Sequence, residues 1–156
     1  MMNVTQGDLL QLALAGQLDV IVHGCNCQCQ MGKGIALSIK QQFPEAFEAD
    51  LRTPKGDPAK LGTISFAMVE RPPARFVVVN AYTQFHWRGD GVLADYDAIR
   101  SAFRSIKQQF GGRRIGYPMI GAGLARGDWS VIAPIIDDEL VGEDHTFVEF
   151  TPSVRA

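Results

Sequence analysis

The sequence predicts an α/β fold in which a central mixed β-sheet carries helices on both faces. Short apolar runs rich in β-branched residues alternate with stretches whose apolar residues recur every three or four positions, and this alternation is typical of layered α/β proteins. The 156 residues are the length of one ordinary domain, and they contain no internal repeat, linker or low-complexity stretch. We therefore expect a single three-layer α/β/α domain over residues 1–156.

The apolar runs predict five strands. The run at 19–23 is apolar on consecutive positions, as in a strand buried on both faces, whereas the run at 145–150 alternates polar and apolar residues, as in a half-exposed strand. Pro72 and Pro73 mark a turn between two neighbouring runs, which should therefore pair antiparallel. The predicted strands are 19–23, 61–69, 75–81, 113–118 and 145–150.

Apolar residues at helical spacing predict three longer helices and a short one near the N-terminus. The helix that precedes Pro44 should stop there, because a residue before proline is disfavoured in the helical conformation. Gly111 and Gly112 end the clearest helix, and Asp128 is a candidate N-cap for the last one. The polar segment 52–60 is expected to be a mobile loop. The predicted helices are 9–15, 34–43, 93–110 and 129–140.

Composition narrows the class of protein. An apolar share of 46% and a charged share of 21% are those of a soluble globular protein. The net charge of −2 argues mildly against a dedicated nucleic-acid binder, which needs an excess of cations to neutralise phosphates. No segment approaches the ~18 apolar residues of a membrane span, and the N-terminus lacks a signal-peptide pattern. We therefore expect a cytosolic protein with no membrane partner.

Three cysteines lie within five residues, at positions 25, 27 and 29. Alternate positions on a strand or tight loop rarely form a disulfide, so we do not expect one. The pattern His23-x-Cys25-x-Cys27-x-Cys29 resembles a metal-ligand cluster, but a thiolate site needs about four ligands. Free thiols beside a small-molecule pocket are the favoured interpretation, and neither a metal nor a cofactor is predicted.

Two glycine loops are the candidate binding elements. Residues 32–34 connect a buried strand to a helix, and residues 121–123 repeat this arrangement between the strand at 113–118 and the helix at 129–140. Glycine lets the backbone approach a ligand closely, and a helix N-terminus attracts phosphate. Loops that follow parallel strands meet at the carboxyl edge of the sheet, so we expect one clamp for an elongated anion.

Neither standard nucleotide fingerprint fits the first loop. Position 37 is Leu, where the dinucleotide fingerprint has its third glycine, and Gly34 follows Lys33 where a P-loop has Ser or Thr. The Lys33 side chain is predicted to point into solvent, with phosphate binding as the alternative. A P-loop enzyme and a dinucleotide oxidoreductase are therefore both disfavoured.

The chain resembles the macrodomain family over essentially its whole length. The resemblance rests on Gly7–Asp8 after a first strand, on His23–Asn26 followed by MGKGIA at 31–36, and on 118–124 followed by Trp129. The branch it resembles contains the yeast-type ADP-ribose 1''-phosphate phosphatase, the terminal ADP-ribose glycohydrolase and the antitoxin that removes ADP-ribose from DNA. The implied ligand is ADP-ribose or a derivative, and the implied partner an ADP-ribosylated macromolecule.

The resemblance also implies binding residues. It places Asp8 at the adenine amino group, although the same carboxylate is a candidate helix N-cap. It places Asn26 at the distal ribose, and the two glycine loops on either side of the diphosphate. The predicted ligand-binding residues are Asp8, Leu9, Asn26, Gly32, Gly34, Ile35, Ala36, Ile120, Gly121, Ala122, Gly123 and Leu124.

Two departures from the family pattern bear on the reaction. Gln84 stands where the glycohydrolase and the antitoxin have a lysine, and Ala125 stands where the glycohydrolase has an aspartate. Glutamine cannot act as an amine nucleophile, so removal of phosphate from ADP-ribose 1''-phosphate is the leading hypothesis. A non-catalytic ADP-ribose reader and a hydrolase that removes ADP-ribose from a macromolecule are the alternatives. The candidate catalytic residues are Asn26, His23, Gln84 and His86. His23 ends an apolar strand, where a histidine is more often a hydrogen-bonded core residue than a catalytic one.

Overall fold

The structure, a computed structural model, describes residues 1–151. Its strands are β1 (Asn3–Gly7), β2 (Val20–Asn26), β3 (Ile64–Arg71), β4 (Ala74–Gln84), β5 (Ile115–Tyr117) and β6 (His145–Phe150). They form one six-stranded sheet in the order β1-β6-β5-β2-β4-β3. Every neighbouring pair is parallel except β3 and β4. The mixed sheet and the antiparallel pair around Pro72 and Pro73 are therefore as the sequence predicts.

The helices are α1 (Leu9–Leu14), α2 (Gly34–Gln42), α3 (Pro44–Leu51), α4 (Tyr96–Phe110) and α5 (Trp129–Glu139), with a single 3-10 turn at Pro58–Lys60. Helices α4 and α5 pack on one face of the sheet, and α1, α2 and α3 pack on the other. Strand β2 packs against both helical layers, because its side chains alternate between the two faces of the sheet. Val20 and Val22 contact the α4–α5 layer, and Ile21 contacts the opposite one. Among residues 1–151, no helix is long and apolar enough to cross a membrane.

The structure corrects one predicted helix boundary, adds a helix and changes the description of one loop. Helix α4 begins at Tyr96 because the Asp95 carboxylate accepts a hydrogen bond from the backbone N–H of Ala98 at 2.9 Å and so caps the helix. Pro44 ends α2 and also begins α3, a helix that the sequence did not predict, because proline is well accommodated in a first helical turn. The segment 52–60 is not simply a polar loop, since Lys60 at its end is buried.

Candidate functional site

A cavity of about 890 Å³ lies at the carboxyl ends of the parallel strands. Its walls come from the segments that follow β2, β4 and β5 and from the last residues of β6. Ligand sites of open parallel sheets form at this edge, because loops and helix N-termini converge there. The cavity therefore has the position and the size of a site for a nucleotide-sized ligand.

The first glycine loop presents an uncapped helix N-terminus to the cavity. Helix α2 begins after Lys33, whose side chain makes no capping hydrogen bond, whereas α1, α4 and α5 are each capped by an aspartate. Gly34 adopts a φ of +59°, a conformation that favours glycine, and Ile35 and Ala36 follow it along the cavity wall. The free N–H groups of this first turn and the helix dipole together make an anion site.

The second glycine loop also lines the cavity, and its Leu124 side chain lies 3.5 Å from the place that a Cβ on Gly34 of the first loop would take. Gly121 has a φ of +74°, and a Cβ there would lie 3.1 Å from Ile132. Its carbonyl oxygen accepts a hydrogen bond from the N–H of Gly127 at 2.6 Å, which closes the loop on itself. Helix α5 starts only at Trp129 and is capped by Asp128. The second loop therefore offers loop backbone groups and no helix N-terminus, unlike the arrangement that the sequence predicted.

Asn26 lines the cavity at the end of β2 and braces the first loop. Its side-chain Nδ2 donates to the carbonyl of Gln30 at 2.9 Å, and its Oδ1 accepts from the N–H of Gln28 at 2.9 Å. These two bonds leave one N–H and one lone pair of the amide free for a ligand. Asn26 is therefore held in a fixed orientation at the wall.

The charged side chains of the cavity are mostly basic. Lys33, Arg88 and Arg126 line it, and Glu149 is the one carboxylate among its described lining residues. Arg126 also donates to the carbonyl of Gly89 and so connects the second glycine loop to the segment after β4. Since guanidinium and ammonium groups bind phosphate, the cavity is electrostatically suited to an anionic ligand.

The two departures from the family pattern both lie at the cavity. Gln84 lines it at the end of β4, and its side-chain Nε2 donates to the carbonyl of His86 at 2.9 Å. Ala125 is a buried lining residue of the second loop. The wall at these positions therefore carries a neutral amide and a methyl group.

His23 and His86, two of the predicted catalytic residues, do not line the cavity. His23 is fully buried, and its Nε2 lies 2.6 Å from Oδ1 of Asn80 on the neighbouring strand. Burial lowers the pKa of this imidazole, so it is a neutral core histidine, which is the alternative that the sequence left open. The Nδ1 atom of His86 accepts from the N–H of Arg88 at 3.1 Å, and its ring packs against Trp87. His86 therefore supports its own loop.

Three predicted binding residues also lie outside the cavity lining. The carboxylate of Asp8 caps α1 by accepting from the N–H groups of Leu10 and Gln11. Leu9 is buried in the core beneath α1, and Ala122 packs against the core of the α4–α5 layer. Asp8 nevertheless follows Gly7, whose register partner is the cavity residue Phe150, so the adenine contact stays a prediction.

All three cysteines are free and buried. Cys25 lines the cavity, and burial raises the pKa of the Cys25 and Cys27 thiols, which keeps them protonated. Across residues 1–151, no three His, Cys, Asp or Glu side chains are grouped so that they could hold a metal ion. The geometry therefore does not support the metal-ligand interpretation of this motif.

One wall of the cavity was not predicted from the sequence. The last four residues of β6, Phe147–Phe150, line it, although this segment is far in the sequence from the first glycine loop. Strand β6 reaches the cavity because it runs parallel to its neighbours β1 and β5 and so ends at the same edge of the sheet. The order of the strands, which places β6 beside β5, could not be read from the local pattern.

Comparison with known proteins decides the family. The model of the Macro domain matches residues 22–136, which include both glycine loops. The chain belongs to the Macro domain family. An uncharacterized protein of Enterobacteria phage T4 is 35% identical to this macrodomain over 138 residues, which are 85% of each protein.

Two further proteins are similar to this macrodomain. The DNA ADP-ribosyl glycohydrolase of Mycobacterium bovis is 28% identical over 129 residues, which are 83% of this chain but 36% of that longer protein. The macrodomain of Mycobacterium tuberculosis DarG has a TM-score of 0.73 and 26% identity, covering 98% of this chain and 99% of that one. The likeness to the DarG macrodomain extends over nearly the whole chain and agrees with the macrodomain fold.

Proposed function

We propose that this macrodomain binds ADP-ribose or a derivative of it. The observation that carries the proposal is that the uncapped N-terminus of α2 and the loop around Gly121–Gly123 line one cavity. Both present backbone N–H groups, which suit a diphosphate. Lys33, Arg88 and Arg126 add positive charge at the same place.

The two ends of the cavity suggest how the ligand lies. Phe150 is 69% exposed at the end of β6 and offers an apolar surface to a base, with the Asp8 carboxylate one residue beyond its partner Gly7. At the other end, Asn26 and Gln84 are register partners at the ends of β2 and β4. Their amides suit the hydroxyl groups of a sugar. We therefore place adenine towards Phe150 and the distal ribose towards Asn26.

The proposed reaction is hydrolysis of a phosphate monoester, ADP-ribose 1''-phosphate. Water would attack phosphorus, the bond between phosphorus and the ribose oxygen would break, and the proton would pass to the leaving oxygen. Arg88 and Arg126 can stabilise the charge on the transferred phosphoryl group. Gln84 favours this reaction over one that needs an amine at its position, because an amide is neither basic nor nucleophilic.

A second candidate is the removal of ADP-ribose from DNA. It is supported by the likeness to DNA ADP-ribosyl glycohydrolases, of which the M. bovis protein matches 83% of this chain. With Gln84 and Ala125 in the cavity wall, such a reaction would depend on Asn26 and on groups of the substrate itself. The two candidates share one pocket and differ in the product that they release.

One experiment separates these functions. The purified protein is given ADP-ribose 1''-phosphate and, separately, an ADP-ribosylated oligonucleotide, while phosphate and free ADP-ribose are measured. Phosphate release supports the leading reaction, and ADP-ribose release from the oligonucleotide supports the second. Calorimetric binding of ADP-ribose without either product identifies a reader. No binding of ADP-ribose would contradict the proposed function altogether.

A matched pair of glycine variants tests the cavity itself. Gly34 and Gly142 have φ angles of +59° and +81°, so alanine at either position introduces similar backbone strain, about 1–2 kcal/mol. The added Cβ of Gly34→Ala lies 3.5 Å from the cavity residue Leu124, whereas that of Gly142→Ala meets nothing within 4 Å. Both variants should lose similar stability, and only Gly34→Ala should also bind ADP-ribose more weakly. Equal affinities would place the ligand elsewhere.

A further inference from the structure

The charged side chains of the cavity are separated by sign along the edge of the sheet. Lys33 follows β2, Arg88 follows β4 and Arg126 follows β5, and all three line the cavity. Glu149, the last but one residue of β6, is the one carboxylate among the described lining residues. Because these strands lie in the order β6-β5-β2-β4, the cavity wall is positive beyond three adjacent strands and negative at the fourth.

Glu149 and Asn26 lie far enough apart to contact different sugars of one ligand. Strand β5 lies between β6 and β2, and neighbouring strands are about 4.8 Å apart, so the two strand ends are separated by roughly 10 Å across the sheet. The second glycine loop leaves the sheet from β5, between them. A diphosphate held at that loop would therefore have one ribose on the side of Asn26 and the other on the side of Glu149.

A carboxylate in this position distinguishes a sugar hydroxyl from a phosphate. It accepts hydrogen bonds from ribose hydroxyl groups, as an acidic residue does at the 2'-hydroxyl in dinucleotide-binding folds. It repels a phosphate ester in the same place, because two negative charges a few ångströms apart raise each other's energy. Glu149 is an exposed residue of the cavity wall and follows the buried Val148, so its side chain is accessible to a ligand.

We propose that Glu149 is a specificity-determining residue that accepts hydrogen bonds from the adenosine ribose and excludes ligands with a phosphate on that ribose. The inference rests on the proposed function, which places adenine towards Phe150, the next residue of β6. It deepens that function by naming the substrate class: ADP-ribose compounds with free hydroxyl groups on the adenosine ribose, and not their 2'-phosphates.

The test compares two ligands, ADP-ribose and ADP-ribose 2'-phosphate, which differ only in the phosphate on the adenosine ribose. Glu149→Gln removes the charge and keeps the size of the side chain. Glu70→Gln is the matched control, because it removes the same charge from an exposed residue of β3 that pairs with Arg75 and does not line the cavity. Dissociation constants are measured by calorimetry, and thermal denaturation verifies that each variant folds.

We expect the wild type to bind the 2'-phosphate at least roughly tenfold more weakly than ADP-ribose, because of charge repulsion. Glu149→Gln should bind ADP-ribose roughly threefold more weakly, since a neutral amide oxygen is a weaker acceptor than a carboxylate. The same variant should bind the 2'-phosphate roughly tenfold more tightly. A damaged cavity would weaken both ligands, so these opposite changes identify the role of the charge.

Glu70→Gln should keep the ratio of the two dissociation constants at the wild-type value. The difference between the ligands should also shrink at high salt, because salt screens the repulsion at an exposed carboxylate. If Glu149→Gln does not fold, Glu149→Ala replaces it with the same expected change in the ratio.

Three results would overturn the inference while the proposed function stands. If the wild type binds both ligands equally, the cavity does not exclude the 2'-phosphate. If the wild type discriminates and Glu149→Gln keeps the same ratio, another group is responsible. If Glu149→Gln changes both affinities by the same factor, Glu149 does not act at the adenosine ribose. Failure of the wild type to bind ADP-ribose is a different result, since it contradicts the proposed function itself and the inference with it.

Discussion

The ammonium group of Lys60 lies 3.6 Å from a carboxylate oxygen of Asp50, and these two side chains are only 3% and 1% exposed. The same ammonium group contacts the sulfur of Cys29 at 3.4 Å. Asp50 also accepts a hydrogen bond from the hydroxyl of Tyr82 at 2.7 Å. This buried pair lies beneath the segment that joins β2 to α2, so it supports the loop that carries Asn26 and the first glycines.

Replacing one partner of this pair should destabilise the protein strongly. Lys60→Met leaves the Asp50 charge buried without its cation, and we expect the free energy of unfolding to fall by about 3–5 kcal/mol. Arg75→Met is the control, because the Arg75–Glu70 pair is 68% and 64% exposed and should contribute at most about 1 kcal/mol. Urea denaturation measures both. A loss from Lys60→Met as small as that from Arg75→Met would contradict this role.

Alanine should not be tolerated at Gly127 in the second glycine loop. A Cβ on Gly127 would overlap the carbonyl oxygen of Gly121, whereas a Cβ on Gly123 would meet nothing within 4 Å. Gly127→Ala should therefore lower stability by roughly 1–3 kcal/mol and loosen the loop, while Gly123→Ala should leave the stability of the free protein nearly unchanged. Thermal denaturation compares them, and equal Tm values would show that the loop relaxes freely.

Stability should fall as the pH drops below neutrality. Burial lowers the pKa of His23 and His145. Below the unfolded pKa of about 6.5, these two histidines are therefore protonated in the unfolded chain and still neutral in the folded protein. The loss should begin near that pH and end at the folded pKa values. His23→Gln should reduce the slope of the free energy of unfolding against pH by up to about 1.4 kcal/mol per pH unit. Denaturant titrations between pH 7 and 5 measure the slope, and a flat profile there would refute the neutral core histidine.

A separate loss of folding stability is expected at lower pH. Hydrogen bonds from Arg114 and Arg71 lower the pKa of the Asp19 and Glu45 carboxyl groups, respectively. Their contribution is present above the unfolded values of about 4 and disappears as the pH falls through the folded pKa values. These pairs are partly exposed, so the effect should be small and reduced by salt. A loss of stability below pH 4 that does not change with salt would argue for another cause.

Arg126 should matter for binding more than for folding. It has a φ of +61°, which disfavours residues other than glycine, and its guanidinium lies at the cavity and donates to Gly89. Arg126→Gly should keep or raise the Tm and weaken ADP-ribose binding by about three- to tenfold, with a smaller effect at high salt. Arg104→Ala removes a distant exposed arginine and should not change affinity. Unchanged binding by Arg126→Gly would remove this residue from the site.

Local patterns were enough to predict much of the fold. The amphipathic spacing of α4 and the proline turn before β4 depend on neighbouring residues, and both appear in the structure. The alternation predicted for β6 does not, because Phe147 and Val148 are both buried and Glu149 and Phe150 are both exposed. Helix α3 was missed because Pro44 has two meanings, a stop for one helix and a first turn for the next. A helix forms after Pro44 because the residues that follow it pack on the sheet, as Ala46 does. That packing is a tertiary property, so the sequence pattern around Pro44 did not predict it.

At the site, the two glycine loops and the neutral residues Gln84 and Ala125 could be predicted without the structure, because loop chemistry and residue identity are local properties. Tertiary structure alone decided which segments share the cavity. Strand order brought the end of β6 to it, and strand register placed His23 against Asn80. Each depends on pairing between residues far apart in the chain, which a local pattern does not encode.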